Sequence, residues 1–108
     1  MQNSPLTPAK IARLTRQFEY CKTQLLQLSW ITQGSIFQSQ QDTWCWTRKV
    51  KAKTVTVALS AQQAELFKQA VAQHRKLEKL LAKMRDLSQI FLLQSVPGPL
   101  RRKRSKPS

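Results

Sequence analysis

The sequence has 108 residues, of which 19 are Lys or Arg and 5 are Asp or Glu, so its formal net charge is +14. This length predicts a single domain with a modest core, and this charge predicts a polyanionic partner, with nucleic acid as the first candidate. Two cysteines, Cys21 and Cys45, are too few for a disulfide framework, and we find neither a signal peptide nor the ~18-residue apolar run of a membrane span, so we expect a cytoplasmic protein with no membrane partner.

The first predicted element is a helix that begins near Pro8 and ends near residue 28. Thr7 can cap a free backbone N–H, and Pro8 fits the first turn of a helix without losing a hydrogen bond. The apolar residues that follow are spaced by three or four positions, which predicts an apolar stripe that packs against a second surface. The stripe consists of Ile11, Leu14, Phe18, Cys21, Leu25 and Leu28.

The central part of the chain predicts a small antiparallel sheet. Gly34 and Ser35 interrupt the helical pattern, and a short alternating stretch follows at Ile36. Residues 43–50 and 54–59 then alternate with period two, are rich in Thr, Val and Trp, and lack Gly and Pro. This composition is typical of two strands joined as a hairpin.

The two faces of this hairpin predict its register. A two-residue connection at residues 52–53 places Lys51 opposite Thr54 and keeps the Trp and Val side chains on one face. Ala52 suits a tight turn poorly, because such turns favour Gly or Asn at positive φ, so a four-residue loop is the alternative. One face carries Trp44, Trp46, Arg48, Val50, Val55, Val57 and Leu59, and the other carries Thr43, Cys45, Thr47, Lys49, Lys51, Thr54, Thr56 and Ala58.

The last predicted element is a long helix from Ala61 to about Gln94. Ser60 and Gln63 have the spacing of a capping box, and residues 97–99 end the helix with two prolines and a glycine. A helix of about 34 residues is about 50 Å long, so we expect it to pair with the first helix, with a second copy of the chain, or with both. Its predicted apolar side holds Leu66, Ala70, Leu77, Leu80, Leu81, Met84, Leu87 and Phe91.

Together these elements predict an α+β fold. An N-terminal helix is followed by a small antiparallel β-meander and by a long C-terminal helix that packs antiparallel on the first. Residues 1–96 form the single domain. Residues 97–108 form a basic tail, which we expect to be disordered when free because it has no apolar periodicity.

Nothing in the sequence predicts catalysis. The chain has one histidine, His74, few acidic residues, and neither a nucleophile motif nor a phosphate-binding loop. Asp42, Glu65 and Asp86 do not form a recognisable set of metal ligands. We therefore expect a protein that is not an enzyme and that has no cofactor and no metal, and we assign His74 a packing role at the edge of the helix pair.

A cluster of cations in the hairpin is the sharpest functional signal. Ammonium, guanidinium and hydroxyl groups alternate there, and all of them can donate to phosphates. The alternative is a solvated sheet face whose lysines discourage edge pairing. The predicted nucleic-acid-binding residues of the hairpin are Thr47, Arg48, Lys49, Lys51, Lys53 and Thr54.

Trp44 and Trp46 point the same way from one strand, which allows two interpretations. Their rings either stack on unpaired bases or pack against the helices with the valines of the same face. The apolar neighbours favour packing. Arg48 is on that face as well, and we expect it to lie at the edge of the face, over a Trp ring.

Further cations lie outside the hairpin. A short basic arm adds affinity for nucleic acid of any sequence by releasing counterions, whereas exposed helix faces are equally consistent with ordinary solvation. The predicted contacts of the tail are Arg101, Arg102, Lys103, Arg104 and Lys106, and the secondary candidates on the helices are Arg13, Arg16, Arg75, Lys76, Lys79 and Lys83.

The segment Thr47-Arg48-Lys49-Val50-Lys51-Ala52-Lys53-Thr54, followed by a Leu-rich helix, resembles a family of short uncharacterised bacterial proteins. That family carries a Thr-Arg-Lys-Val-x-Gly-Lys-Thr hairpin before a long helix and is often found near transposases and other mobile elements. The resemblance covers about sixty residues. This chain has Ala52 where the family has Gly, and it lacks the Cys-rich turn of some relatives, so no metal site is carried over.

These observations lead to a functional expectation. The chain is predicted to bind nucleic acid, DNA or RNA, as a small non-enzymatic subunit of a nucleoprotein assembly, and the resemblance implies an association with mobile elements. The alternative is a helical protein-interaction or oligomerisation module whose charge serves an acidic protein partner. The helical stripes also allow a homodimer.

Overall fold

The structure is a computed structural model that describes residues 6–99. In sequence order, a helix is followed by a three-stranded antiparallel sheet and then by a second, longer helix. This architecture confirms the predicted α+β fold. The elements are α1 (Pro8–Leu26), β1 (Ser35–Gln38), β2 (Trp44–Val50), β3 (Lys53–Leu59) and α2 (Ala61–Gln94).

Both helices begin where their capping residues predict. The Lys10 backbone N–H donates to the Thr7 hydroxyl oxygen at 3.1 Å. At the start of α2, the Gln63 backbone N–H donates to the Ser60 hydroxyl oxygen at 3.1 Å, and the Ser60 N–H donates to the Gln63 side-chain oxygen at 2.9 Å. This reciprocal pair confirms the capping box. Helix α1 ends at Leu26, about two residues earlier than predicted.

The two helices pack antiparallel, as predicted. Residues near the start of α1 share a groove with the last turn of α2, and residues near its end share one with Leu80. The buried cluster between the helices consists of Leu14, Cys21 and Leu87. Cys21 is therefore a core residue, and both cysteines are free thiols. Leu6, Phe18, Leu80 and Met84 pack around this cluster.

The sheet is a meander with the order β1-β2-β3. The predicted faces of the hairpin are correct, but the predicted register is wrong by two residues. Val50 lies opposite Lys53 and Trp46 opposite Val57, so the turn consists of Lys51 and Ala52. The shift is even, and it therefore leaves every strand residue on its predicted face.

The tight turn forms although its residues are unfavourable for it. Lys51 has φ 51° and Ala52 has φ 67°. Positive φ at both central residues is the signature of the two-residue hairpin turn whose twist matches that of the strands. The four-residue loop is therefore wrong, and the position where the resembled family has Gly is a left-handed residue in this chain.

The described part of the chain is elongated, with extents of 64, 34 and 18 Å. Its radius of gyration of 20.9 Å exceeds the roughly 13 Å of a compact domain of about 100 residues. Helix α1 contacts α2 and no strand in this part of the chain. One half of α2 therefore packs on α1, and its other half packs on the sheet.

This arrangement leaves a thin core and corrects part of the predicted apolar side of α2. Leu66 was assigned to that side but is 65% exposed, whereas Ala64 and Val71 are buried. Because α2 contacts the sheet with one side and α1 with another, a single stripe does not describe its packing.

Candidate nucleic-acid interface

Helix α2 covers only one face of the sheet. The rings of Trp46 and Phe67 lie 4.7 Å apart between centroids, and the Lys68 ammonium lies 4.2 Å from the centroid of the Trp44 ring. The Trp-bearing face is therefore the helix side of the sheet. We call the opposite face the outer sheet face. It carries Ser35, Phe37, Cys45, Thr47, Lys49, Thr54, Thr56 and Ala58.

Trp46 is the anchor of the helix side. Its indole N–H donates to the Gln33 carbonyl oxygen at 2.8 Å, its ring contacts Phe67, and the Arg48 guanidinium carbon lies 4.2 Å from its ring centroid. The protein thus contacts this half-buried ring through Phe67 and Arg48 and binds its indole N–H. Trp46 therefore packs against α2 through Phe67, as its apolar neighbours predict, and the expected contact of Arg48 with a Trp ring is confirmed.

Gly34 allows β1 to approach Trp46 closely. Its φ is +119°, and a Cβ atom at this position would lie 2.4 Å from the Thr47 carbonyl oxygen and 2.5 Å from the Trp46 indole nitrogen. No larger residue fits without displacing the backbone of β2. Gly34 therefore sets where β1 begins, and with it the position of Ser35 on the outer sheet face.

The segment before Gly34 is fixed to α2 by polar contacts. The Ser29 backbone N–H donates to the Gln73 side-chain oxygen at 3.0 Å, and the Thr32 N–H donates to the Ala70 carbonyl at 3.3 Å. The Gln33 amide lies 3.3 Å from the His74 ring nitrogen. His74 is half-buried at this edge of the helix, as the sequence predicts.

The outer sheet face is organised in rows across the strands. The first row is apolar, the second consists of three hydroxyl-bearing side chains, and the third places an ammonium group beside a hydroxyl. The rows are Phe37, Cys45 and Ala58, then Ser35, Thr47 and Thr56, then Lys49 and Thr54. Residues 43–64 contain no Asp or Glu, so no carboxylate competes with an anion here.

The structure divides the predicted cation cluster between the two faces. Lys49 lies on the outer sheet face opposite Thr54, whereas Arg48 lies on the helix side. One guanidinium nitrogen of Arg48, Nη1, is buried and has no hydrogen-bond partner among residues 6–99. Lys51 is in the turn, and Lys53 lies on the helix side opposite Val50, beyond the part of the sheet that α2 covers; both lysines are exposed.

A shallow groove brings several of these donors together. It has a volume of about 380 Å³ and lies where β1 begins beside the end of β2. Several of its lining residues carry hydroxyl, amide or ammonium groups, all of which can donate to a phosphate or to a base edge. The lining residues are Gln33, Gly34, Ser35, Thr47, Arg48, Lys49 and Thr54.

The secondary candidates lie along the helix pair. Arg16 of α1 and Lys83 of α2 line the same shallow groove across the two helices. The others are exposed on single helices and form no cluster with the hairpin. They are Arg13, Arg75, Lys76 and Lys79. The tail contacts, Arg101, Arg102, Lys103, Arg104 and Lys106, lie outside the described residues.

The two i, i+3 combinations of opposite charge on α2, Glu65 with Lys68 and Lys83 with Asp86, differ in the structure. Lys68 and Glu65 approach to 3.8 Å, as the i, i+3 spacing predicts. Lys83 and Asp86 form no ion pair in the described ranges, where the other pair is Lys22 with Glu19 at 3.3 Å. All of these groups are exposed, so each pair contributes little to stability.

Sequence reasoning missed Ser35 as part of the site. Its position in the hydroxyl row follows from the pairing of β1 with β2, in which Ser35 lies opposite Thr47. The signal was present, because Gly34 marks the beginning of a strand and Ser35 follows it directly. What the sequence lacked was the register of this short strand.

Within residues 6–99, no group of three or more His, Cys, Asp or Glu side chains could hold a metal ion, and no helix is long and apolar enough to cross a membrane. The chain matches no family model, and no curated protein and no solved structure is significantly similar to it. Functional inference therefore depends on the geometry of the chain itself.

Proposed function

We propose that this chain is a non-enzymatic nucleic-acid-binding protein that contacts phosphates with the outer sheet face and the hairpin turn. One observation carries the proposal. A sheet face without cover in the described chain bears ammonium and hydroxyl donors and no carboxylate, in a chain of net charge +14. Such a surface attracts a polyanion.

Three lysines supply the charge around the hairpin turn, and one of them, Lys53, lies on the helix side of the sheet. Lys49 extends from the outer sheet face, Lys51 from the turn and Lys53 from the first residue of β3. Their exposure leaves the ammonium groups free to replace condensed counterions on a phosphate backbone. Arg48 differs from them because its guanidinium packs on Trp46. Its first role in this proposal is to hold the sheet that presents the lysines.

The tail extends the proposed contact. Its five cations follow one another within six residues, from Arg101 to Lys106, which is the composition of an arm that tracks a phosphate backbone. The resemblance of the hairpin to a mobile-element family suggests that the protein serves as a small subunit of a nucleoprotein assembly. We place that assembly in the cytoplasm.

Salt-dependent binding tests the proposal. Fluorescence anisotropy with labelled 20-nucleotide duplexes and single strands, at several salt concentrations, gives both affinity and salt slope. A triple variant, K49Q with K51Q and K53Q, should weaken binding and reduce the magnitude of the salt slope by up to about 3. Arg48 is retained in this variant so that the packing of Trp46 is undisturbed.

A matched control removes equal charge elsewhere. Lys10, Lys22 and Arg85 lie on the helix pair, so replacing all three by Gln lowers the net charge by the same amount without touching the sheet. This control should bind more tightly than the hairpin variant. Absence of binding at low salt contradicts the proposal as a whole. Equal weakening in both triple variants contradicts a specific role for the hairpin, and loss only on removal of residues 101–108 moves the site to the tail.

A second candidate function is favoured by the end of α2. Leu92 is 66% exposed and Leu93 58%, beside Ile90 and Phe91, so apolar groups surround the last turns of the helix. A helix that is apolar all round is normally buried. We therefore also propose the helical interaction or oligomerisation module, with a second copy of the chain or an acidic protein as partner.

Sedimentation velocity over a range of protein concentrations separates this candidate from the first. Self-association that is lost in L93Q but kept in L26Q supports an interface at the end of α2, because Leu26 is also exposed but lies at the other end of the helix pair. A monomer at every concentration contradicts the homodimer. If the protein is a monomer and also binds no nucleic acid, the hypothesis that remains is an interaction module for an acidic protein partner.

A further inference from the structure

We propose that the outer sheet face enters the major groove of B-form duplex DNA. This inference rests on the proposed function and deepens it, because contact with phosphates alone specifies neither the type of nucleic acid nor the groove. The width of the face, the chemistry of its rows and the position of the aromatic rings favour the major groove.

The width of the sheet matches one groove. β1 pairs only with residues 44–47 of β2, so towards the turn the sheet narrows to the two strands β2 and β3, whose axes lie about 4.8 Å apart. A two-stranded ribbon of this kind is the β-structure that the major groove of B-form DNA admits. The major groove of B-form DNA is about 12 Å wide and the minor groove about 6 Å. The major groove of double-stranded RNA is too deep and narrow for side chains to read. The minor groove of double-stranded RNA is wide but shallow, so a sheet can lie on it without entering it. The major groove of B-form DNA is therefore the groove that the ribbon can enter.

The described fold leaves this face accessible. Helix α2 packs on the opposite side through Phe67 and Lys68, and α1 contacts no strand within residues 6–99. The exposed side chains of Thr54 and Thr56 confirm that β3 is open on this side. A duplex can therefore approach the sheet without displacing an element of the described fold.

The hydroxyl row suits base edges. Ser35 lies opposite Thr47, and Thr47 lies opposite Thr56, so three hydroxyl groups cross the sheet at one level. A hydroxyl donates and accepts, and Ser and Thr can therefore bind to the edges of either base pair. Lys49 in the next row and Lys51 in the turn are placed to reach the phosphates that border the groove.

The aromatic residues of the sheet argue against an unpaired strand as the preferred ligand. Proteins that bind single strands present aromatic rings on which bases stack. Both Trp rings of β2 are turned to the helix side, where Phe67, Arg48 and Lys68 occupy them. The aromatic residue of the outer sheet face is Phe37, on an edge strand and 43% exposed.

Chemical blocking of each groove tests the inference with the unmodified protein. Duplex DNA in which cytosine is replaced by glucosylated 5-hydroxymethylcytosine has sugars in its major groove, and netropsin occupies the minor groove of A·T tracts. We expect glucosylation to weaken binding about tenfold or more, and saturating netropsin to change it less than about twofold. Double-stranded RNA and single-stranded DNA of matched length should bind about tenfold more weakly than plain duplex.

A pair of variants tests the hydroxyl row. T47V with T56V removes two hydroxyls and keeps the branched shape that strands favour, whereas V50T adds one hydroxyl on the helix side as a control. The double variant should lose about tenfold in affinity for duplex DNA with an unchanged salt slope, because its phosphate contacts remain. Equal unfolding midpoints in urea establish that both proteins are folded.

The outcomes separate this inference from the proposed function. Equal affinity for glucosylated and plain DNA overturns major-groove docking but leaves phosphate binding intact. Displacement by netropsin, or tighter binding to single strands, also overturns it. Absence of binding to every nucleic acid at low salt contradicts the proposed function itself.

Discussion

Replacing Ala52 by Gly should stabilise this protein. Ala52 has φ 67°, a left-handed conformation that costs a non-glycine residue roughly 1–2 kcal/mol. Glycine removes this strain but adds roughly 0.5–1 kcal/mol of backbone entropy to the unfolded state. The expected net gain is about 0.5–1 kcal/mol in the free energy of unfolding. In a domain of this size, that gain raises the Tm by about 3–6 °C.

Ala58 supplies the matched control. It is an exposed β3 residue on the outer sheet face and is not among the residues with positive φ. A58G makes the same chemical change and adds the same entropy to the unfolded chain, but it relieves no strain, so it should destabilise by roughly 0.5–1 kcal/mol. Urea unfolding followed by Trp fluorescence and far-UV circular dichroism measures both variants. Changes of the same sign in A52G and A58G would refute the two-residue turn, and with it the register of the hairpin.

Two further pairs of variants test the contacts of Gly34 and Trp46. G34A should destabilise the protein by about 3 kcal/mol, because the positive φ costs roughly 1–3 kcal/mol and displacement of Trp46 loses a hydrogen bond of about 1 kcal/mol. The control S35A should change the free energy of unfolding by less than about 0.5 kcal/mol. Similar unfolding midpoints for the two variants would contradict the close approach at Gly34. W46F should lower the free energy of unfolding by at least about 1 kcal/mol more than W44F does in the same assay. The Trp46 indole N–H donates to the Gln33 carbonyl, whereas that of Trp44 has no hydrogen bond within residues 6–99. Equal losses would show that this hydrogen bond does not contribute to stability.

Local signals in the sequence were sufficient for most of the fold. Thr7, Ser60 and Gln63 mark the helix starts because a capping side chain bonds to backbone groups only three residues away. The alternation of residues 43–50 likewise predicts which side chains share a face. It does not predict which residue lies opposite which, because a shift of two residues leaves every face unchanged. The conformational energy of the turn decides which register forms. Because neither Lys51 nor Ala52 is a residue that favours positive φ, the sequence did not indicate that the turn lies there.

The site was less predictable than the fold because charge alone does not specify what a cation contacts. Arg48 and Lys49 are adjacent in sequence and were assigned one role, yet they lie on opposite faces of β2. Arg48 lies over Trp46 and Lys68 over Trp44, so two cations near the sheet contact its Trp rings on the helix side.

This use of cations has a consequence for the proposed interface. A sheet that packs on a single helix has few apolar side chains available to cover two Trp rings. The long side chains of Arg48 and Lys68 contact these rings instead, with their charged groups over the ring faces. With both Trp rings of β2 on the helix side, two of the three rows of the outer sheet face consist of hydroxyl groups and Lys49. These two rows are polar and carry positive charge, which is the surface chemistry that contact with a duplex requires.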